Sequence, residues 1–221
     1  MKYFQIYFLL ILSTLLLLGC QQSNKSASQI DNKSYINNFE LLQENNSNDT
    51  RVRISSPKAI IDPISNDIEI FDSSIDILNK NTLEIQVQSG NSTLNNLTNT
   101  IKVFNNVNIS FLDNENYFIS TNSFNWDLNT SIIDIKNPLN INFNNTDIIA
   151  SNGFVNIESG LLKIDNSIFN RTVYNSQDKA KYQILINSDV TKWFKNNNTL
   201  VFTSNDKQVE TTINFLNIKE R

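Results

Sequence analysis

The chain offers few groups that could do chemistry. It has no histidine, and Cys20 is its one cysteine. That excludes Cys–His and Ser–His catalytic pairs, any internal disulfide, and the metal sites built on thiolate and imidazole. Four glycines are spread over 221 residues, and no phosphate-cradling loop of the P-loop or dinucleotide type occurs. Asp and Glu remain for acid–base work. They stand mostly in turn-like or alternating contexts, where solvated faces are the ordinary fate of carboxylates. A glycosidase needs two carboxylates facing one cleft, roughly 5–9.5 Å apart, and the pattern places no such pair inside. No catalytic residue, metal ligand or cofactor is expected.

Cys20 draws its meaning from what precedes it. Met1-Lys2 gives a short positive start, and Tyr3 to Gly19 is almost wholly apolar, with Gln5 as the main exception. This is the charged and apolar layout of a secretory signal. The run of about 17 residues is at the lower limit for spanning a bilayer. It has no polar face, which makes a buried core helix a poor reading. It ends Leu17-Leu18-Gly19-Cys20, which resembles the lipobox of bacterial lipoproteins. There the peptidase cuts before the cysteine, whose thiol carries a diacylglycerol. Residues 1–20 are therefore expected to be a lipoprotein signal peptide or a short membrane anchor, with Cys20 as the lipidation site. Either way the rest of the chain lies outside the cytoplasmic membrane.

The bulk composition fits an ordinary folded domain. Hydrophobic residues make up 39% of the chain and the net charge is −4. Basic residues are scattered, without the basic stripe of a nucleic-acid binder. Asn is far above ordinary usage. Together with abundant Ile and Lys this fits an AT-rich genome, so single Asn residues, including the sequon Asn91-Ser92-Thr93, carry little weight.

Residues 21–50 are rich in Ser, Asn, Gln and Asp and read as a flexible linker, with one short element at "YINNFELL". From Arg51 the pattern changes to period-two alternation of Ile, Val and Phe with polar residues, which is strand behaviour. Four stretches stack as repeats: "ISSPKAIIDPISNDIEIFDSSIDIL" from Ile54, "VQSGNSTLNNLTNTIKVFNNVNISF" from Val87, "ISTNSFNWDLNTSIIDIKNPLNINF" from Ile119, and "IASNGFVNIESGLLKIDNSIF" from Ile149. Their starts are roughly 30 to 33 residues apart, the spacing of stacked supersecondary units. Each has a polar turn in its middle: Asp62-Pro63, Asn95-Asn96, Asp127-Leu128-Asn129 and Ile157 to Gly160. A weaker fifth unit starts near Thr199, after a more charged stretch over 171–198.

Alternation puts Ile75 and Ile77 on one side of a strand, and likewise Val107, Ile109 and Phe111; Phe124, Trp126 and Leu128; and Ile141 and Phe143. One apolar face per hairpin cannot be hidden alone, but stacked hairpins can cover one another. The expected fold over 51–221 is all-β: an antiparallel β-jelly-roll or sandwich of stacked hairpin repeats, open at its ends. These ten residues are the candidates for an apolar interior that either fills itself as a core or contacts lipid. Arg51 and Arg53, and Arg171, Lys179 and Lys181, read first as surface charge, with contact to lipid phosphate as the alternative.

The motifs "ISTNSFNWDLNTSIIDIKNPLNINF" and "IIASNGFVNIESGLLKI" carry a resemblance, in combination with the N-terminal signal and the tether. The chain resembles the LptC family of periplasmic lipopolysaccharide-export proteins, best over residues 51–170. More loosely it resembles the OstA-type β-jelly-roll repeats shared with LptA and the N-terminal part of LptD. The resemblance implies a non-enzymatic subunit held at the inner membrane and facing the periplasm. It would take lipopolysaccharide from an inner-membrane ABC transporter and pass it to an LptA-like bridge protein joined by strand pairing. Acyl chains would lie between the sheets. The family's usual spanning helix contrasts with the lipobox here. A structural or adhesive surface β-repeat lipoprotein is the alternative function. For the anchor, Cys20→Ala is expected to abolish the lipid-dependent mass shift and membrane fractionation; unchanged processing and mass would remove the lipoprotein assignment.

Overall fold

The computed structural model describes residues 33–45, 50–112, 117–174, 180–205 and 208–216. The expected signal segment with Cys20, and Lys179, lie outside these residues. The described chain is built almost wholly of strands: β1 (Ser34–Asn45), β2 (Thr50–Asp62), β3 (Asp67–Asn79), β4 (Thr82–Asn95), β5 (Thr100–Phe111), β6 (Tyr117–Asp127), β7 (Ile132–Ile135), β8 (Leu139–Phe143), β9 (Thr146–Ala150), β10 (Asn152–Asn156), β11 (Leu161–Tyr174), β12 (Ala180–Phe194), β13 (Thr199–Thr203) and β14 (Glu210–Phe215), with one short 3-10 turn at Lys195–Asn197. All the pairings are antiparallel, and they join the strands into one continuous sheet. The all-β antiparallel fold expected from the alternation is the one that forms.

The fold starts earlier than the composition suggests. β1 falls in the stretch read as linker, and it pairs with β2 from Ser34↔Ile61 to Asn45↔Thr50. Its inward side is Ile36, Phe39 and Leu41, too few apolar residues to lift it above the polar background. The end of the chain is also phased differently. The charged stretch forms the last part of β11 and the long β12, and the fifth turn stands at residues 194–198, just before Thr199.

The pairing of each long strand is interrupted near its middle. The pairing passes over Asn38 in β1, Asp72 in β3, Asn105 and Asn106 in β5, and Asn166 in β11. All five have φ between 50° and 67°. Asn and Asp tolerate this left-handed region better than other side chains, because they can hydrogen-bond locally. On either side of the break β6, β11 and β12 have different neighbours. β6 pairs with β8 through Phe118 to Thr121 and with β7 through Asn125 to Asp127. β11 pairs with β10 through Leu161 to Asp165 and with β9 through Ile168 to Arg171. β12 pairs with β14 through Tyr182 to Asn187 and with β13 through Val190 to Phe194. The sheet is thereby folded along a line of breaks into two layers. The first holds β7, β10 and β13; the second holds β8, β9 and β14.

Small hydroxyl residues fill the fold line, where the layers come closest. Ser73, Ser89 and Ser92 form one buried hydroxyl triangle, with Ser73–Ser89 at 2.8 Å. Ser167, Ser188 and Thr191 form a second, with edges of 2.9, 2.7 and 2.7 Å. Each hydroxyl is satisfied by its neighbours, so burying it there costs little.

The first layer ends in a ladder of equivalent turns. Asp62 Oδ1 accepts from the backbone N–H of Ile64 and Ser65, Asn95 from Leu97 and Thr98, Asp127 from Asn129 and Thr130, and Asn156 from Ser159. Such Asx turns let a short side chain replace a backbone partner. Each closes on a positive-φ residue: Asn66, Asn99, Ser131, Gly160 and, in the fifth turn, Asn198. The carbonyls of Asn66, Asn99, Ser131 and Gly160 accept from the N–H of Asn96, Leu128, Ile157 and Lys195 in the next turn, at 3.0–3.2 Å. The sequence repeat is thus a real structural repeat, joined rung to rung. Asn66→Gly is expected to leave stability nearly unchanged, whereas Asn66→Val should cost about 1–2 kcal/mol, because a β-branched side chain is strained at this φ; urea melts of the two variants check it.

Candidate functional site

The interior lies between the layers. Fold-line residues close it along one edge, and the turn ladder faces the hairpin ends of the second layer along the other. Nine of the ten residues expected to face an apolar interior are buried: Ile75, Ile77, Val107, Ile109, Phe111, Phe124, Trp126, Leu128 and Ile141. Phe143 is half-buried and packs on the same core. Complete burial of one such side chain contributes about 1.5–3 kcal/mol, so this row is a large part of what holds the layers together.

The interior is not uniform. Ile75, Val107, Ile109, Phe124 and Ile141 sit in its packed middle. Ile77, Trp126 and Leu128 instead line a groove of about 450 Å³ at the open edge near β1. Val52 and Ile157 complete its apolar floor, and its rim is polar, with Gln43, Glu44, Thr50, Asn99, Asn129 and Ser131. The rim is tied across the layers. Gln43 Nε2 donates to Asn99 Oδ1 at 3.1 Å, and Asn99 Nδ2 donates to Asn129 Oδ1 at 2.7 Å. The Trp126 Nε1 donor is buried with no hydrogen-bond partner among the described residues.

Further along the same edge the mouth is shut by aromatic rings. Phe111 stacks on Tyr117 at 4.1 Å, Tyr117 tilts against Trp193 at 4.6 Å, and Phe143 stacks on Trp193 at 4.6 Å. Phe111, Tyr117 and Phe143 belong to the second layer and Trp193 to the first. Trp193 Nε1 donates to Asn198 Oδ1 at 3.2 Å, which fixes the ring at the foot of the fifth turn. Lys195 Nζ lies 5.7 Å above the Phe111 ring and adds a cation–π contact across the mouth. A second cavity beside this clasp holds only about 30 Å³.

At the far end the layers are uncovered. Ile184, Ile186, Leu200 and Phe202 face inward but are only partly buried. In β14, Ile213 is 52% exposed and Phe215 75%. Their register partners are Ile184 and Tyr182, so they continue the inner face and not the outer one.

Sequence reasoning missed the groove rim and the clasp partner. Gln43 and Glu44 lie in the stretch read as linker. Trp193 lies in the charged "TKWFK", where only the alternation of Thr191 and Trp193 signals a strand. Arg51 and Arg53 prove to be engaged by other side chains. Arg51 bonds Glu44 at 3.1 Å and Asn81 at 2.7 Å. Arg53 meets Asp76 at 2.5 Å on the outer face, and the hydrogen bond and charge of Asp76 hold the Arg53 proton more tightly than usual.

Comparison with known proteins gives three findings. A family model described as "Lipopolysaccharide-assembly, LptC-related" matches residues 5–168. Among curated proteins, no sequence matches. Among solved structures, the crystal structure of LptH, the LptA-homologous periplasmic component of the lipopolysaccharide transport device of Pseudomonas aeruginosa, aligns with a TM-score of 0.43 and 7% identity, over 58% of this chain and 91% of that one.

Trp193→Ala is expected to lower stability by about 3–5 kcal/mol, because it removes the one first-layer ring from the clasp. Trp193→Phe should lose much less; denaturant midpoints separate the two.

Proposed function

The chain belongs to the LptC-related lipopolysaccharide-assembly family, and from that membership we propose that it is a non-enzymatic periplasmic carrier whose interlayer space shelters the acyl chains of lipopolysaccharide. It stands at the inner membrane, through acylated Cys20 or the short apolar segment before it. It receives lipopolysaccharide from an inner-membrane ABC transporter and hands it on along a bridge of similar domains towards the outer membrane. The observation that carries this reading is the pair of openings in an otherwise packed apolar interior. The groove floored by Val52, Ile77, Trp126, Leu128 and Ile157 lies near the first strand, and the uncovered inner face of β12 and β14 lies near the last. A self-filling sandwich has no use for either opening. An amphiphile does: its tails displace water from apolar walls while its sugars stay wet at the polar rim.

The edges suit a bridge. β1 bounds the sheet at one end, and β13 and β14 bound it at the other. Unpaired strand edges are templates for another protein's strand. An LptA-like domain added at such an edge would extend both layers, and the interior with them.

Photo-crosslinkers placed in cells at Leu128 and Ile157 are expected to trap lipopolysaccharide, whereas one at Asn108, on the outer face between the buried Val107 and Ile109, should not. Adducts to proteins alone at all three positions would favour the structural or adhesive role and overturn the carrier.

A further inference from the structure

Arg171 occupies an unusual position for a charge. In β11 the buried inward residues near the layer's end are Ser167 and Phe169, and Arg171 follows two residues on, with the same parity. Its cross-strand partners agree. It lies opposite Thr146 in β9, which is buried, and opposite Ile184 in β12, which packs against the core. The inner-face row thus runs Phe143, Thr146, Arg171, Ile184, Ile213. Arg171 is exposed because the layers part here, not because it points outward. Among the described residues it has no ion pair and no side-chain hydrogen bond, unlike Arg51 and Arg53.

A second, independent feature stands beside it. Thr146 is 2% exposed, and its hydroxyl is the one buried side-chain oxygen without a hydrogen-bond partner among the described residues. An unpaired buried hydroxyl is costly and needs a reason. Cross-strand neighbours stand within reach of one ligand group, so a guanidinium and a hydroxyl here can donate to the same acceptor. The hydroxyl is closed off from solvent, so a ligand reaches it only as the lip parts.

We propose that Arg171 and Thr146 form a subsite for the phosphate of an acylated amphiphile whose tails enter the uncovered end of the interior. The proposal rests on the carrier reading and assigns it a headgroup contact. The guanidinium presents a planar fork of donors that matches phosphate oxygens, and the hydroxyl supplies one more donor from the neighbouring strand. Apolar walls stand on both sides: Phe169 and Ile184 in the second layer, and Phe202 in the first, with Phe169 and Phe202 in edge-on contact at 5.3 Å. A phosphate at the lip with a hydrocarbon tail running inward satisfies both parts of the row. A neutral amphiphile satisfies only the walls.

Calorimetric titration of the full chain with three probes tests this: dodecyl phosphate below its micellar concentration, an uncharged dodecyl glycoside, and inorganic phosphate. The native chain is expected to prefer dodecyl phosphate to the glycoside by roughly tenfold or more, as a charge-assisted contact implies. Arg171→Gln should erase that preference and leave glycoside binding unchanged. Thr146→Val should weaken dodecyl phosphate several-fold without lowering the thermal midpoint, since a methyl replaces an unsatisfied hydroxyl. Equal affinity for the two amphiphiles, or a preference that survives Arg171→Gln, overturns the subsite. Inorganic phosphate binding as tightly as dodecyl phosphate would make it a free-anion site and overturn the headgroup assignment. Failure of both amphiphiles to bind would strike the carrier reading itself.

Discussion

Left-handed asparagines, with one aspartate, turn β1, β3, β5 and β11 through a corner, and the interior exists because of that corner. A straight strand with one apolar face must find a second sheet to cover it. Here strands such as β1, β3, β5 and β11 carry their own cover, since their two halves lie in opposite layers. The corner needs positive φ, which Asn38, Asp72, Asn105, Asn106 and Asn166 supply at small steric cost. It also needs small side chains where the layers meet, which the two hydroxyl triangles supply. Closure along one edge and openness along the other both follow. The corner residues cannot let the layers separate on their side, so entry is confined to the opposite edge and to the ends.

That opposite edge is held by separable contacts. The Gln43–Asn99 hydrogen bond and the rings around Trp193 cross from layer to layer without a backbone ladder between them. Breaking them exposes apolar surface, which is costly in water. The cost falls if a hydrocarbon tail takes the place of the partner ring, because apolar contact is non-directional and scales with area. On the proposed carrier reading, an interior of this kind is packed when alone and would load by exchange, not by filling a standing tunnel. The packed middle at Ile109 and Ile141 and the openings at either end are then parts of one device. The turn ladder, through the rung-to-rung bonds from Asn66 to Lys195, would hold the first layer together during such an exchange.

Much of this was legible in the sequence, for a simple reason. Period-two alternation assigns a side to every residue, so Ile75, Ile109, Phe124 and Ile141 could be placed inward without knowing which strand they would meet. The recurrent Asx turns gave the repeat its phase from Asp62 to Asn156. The corners were not legible. Asn is so common in this chain that the residues in the left-handed region look like any others. β1 was hidden because its few apolar residues sit in a polar stretch, and its strand pairing is with β2. The groove could not be foreseen either. Ile77 and Ile75 are indistinguishable by pattern, and only the closing of the layers makes one a wall of the groove and the other plain core. Arg171 shows the same limit, since nothing in the charged stretch over 171–198 signals that the layers part around it.

The central claim is that hydrocarbon tails occupy the space between the layers. Trp126 on the groove floor offers a direct probe, because Trp193→Phe leaves it as the sole tryptophan. Bromine on an acyl chain quenches indole emission only at contact range. A glycolipid with brominated chains, bound by that variant, should strongly quench Trp126 emission, while its unbrominated counterpart should not. Binding of the brominated lipid with Trp126 emission unchanged would place the tails elsewhere and contradict the account.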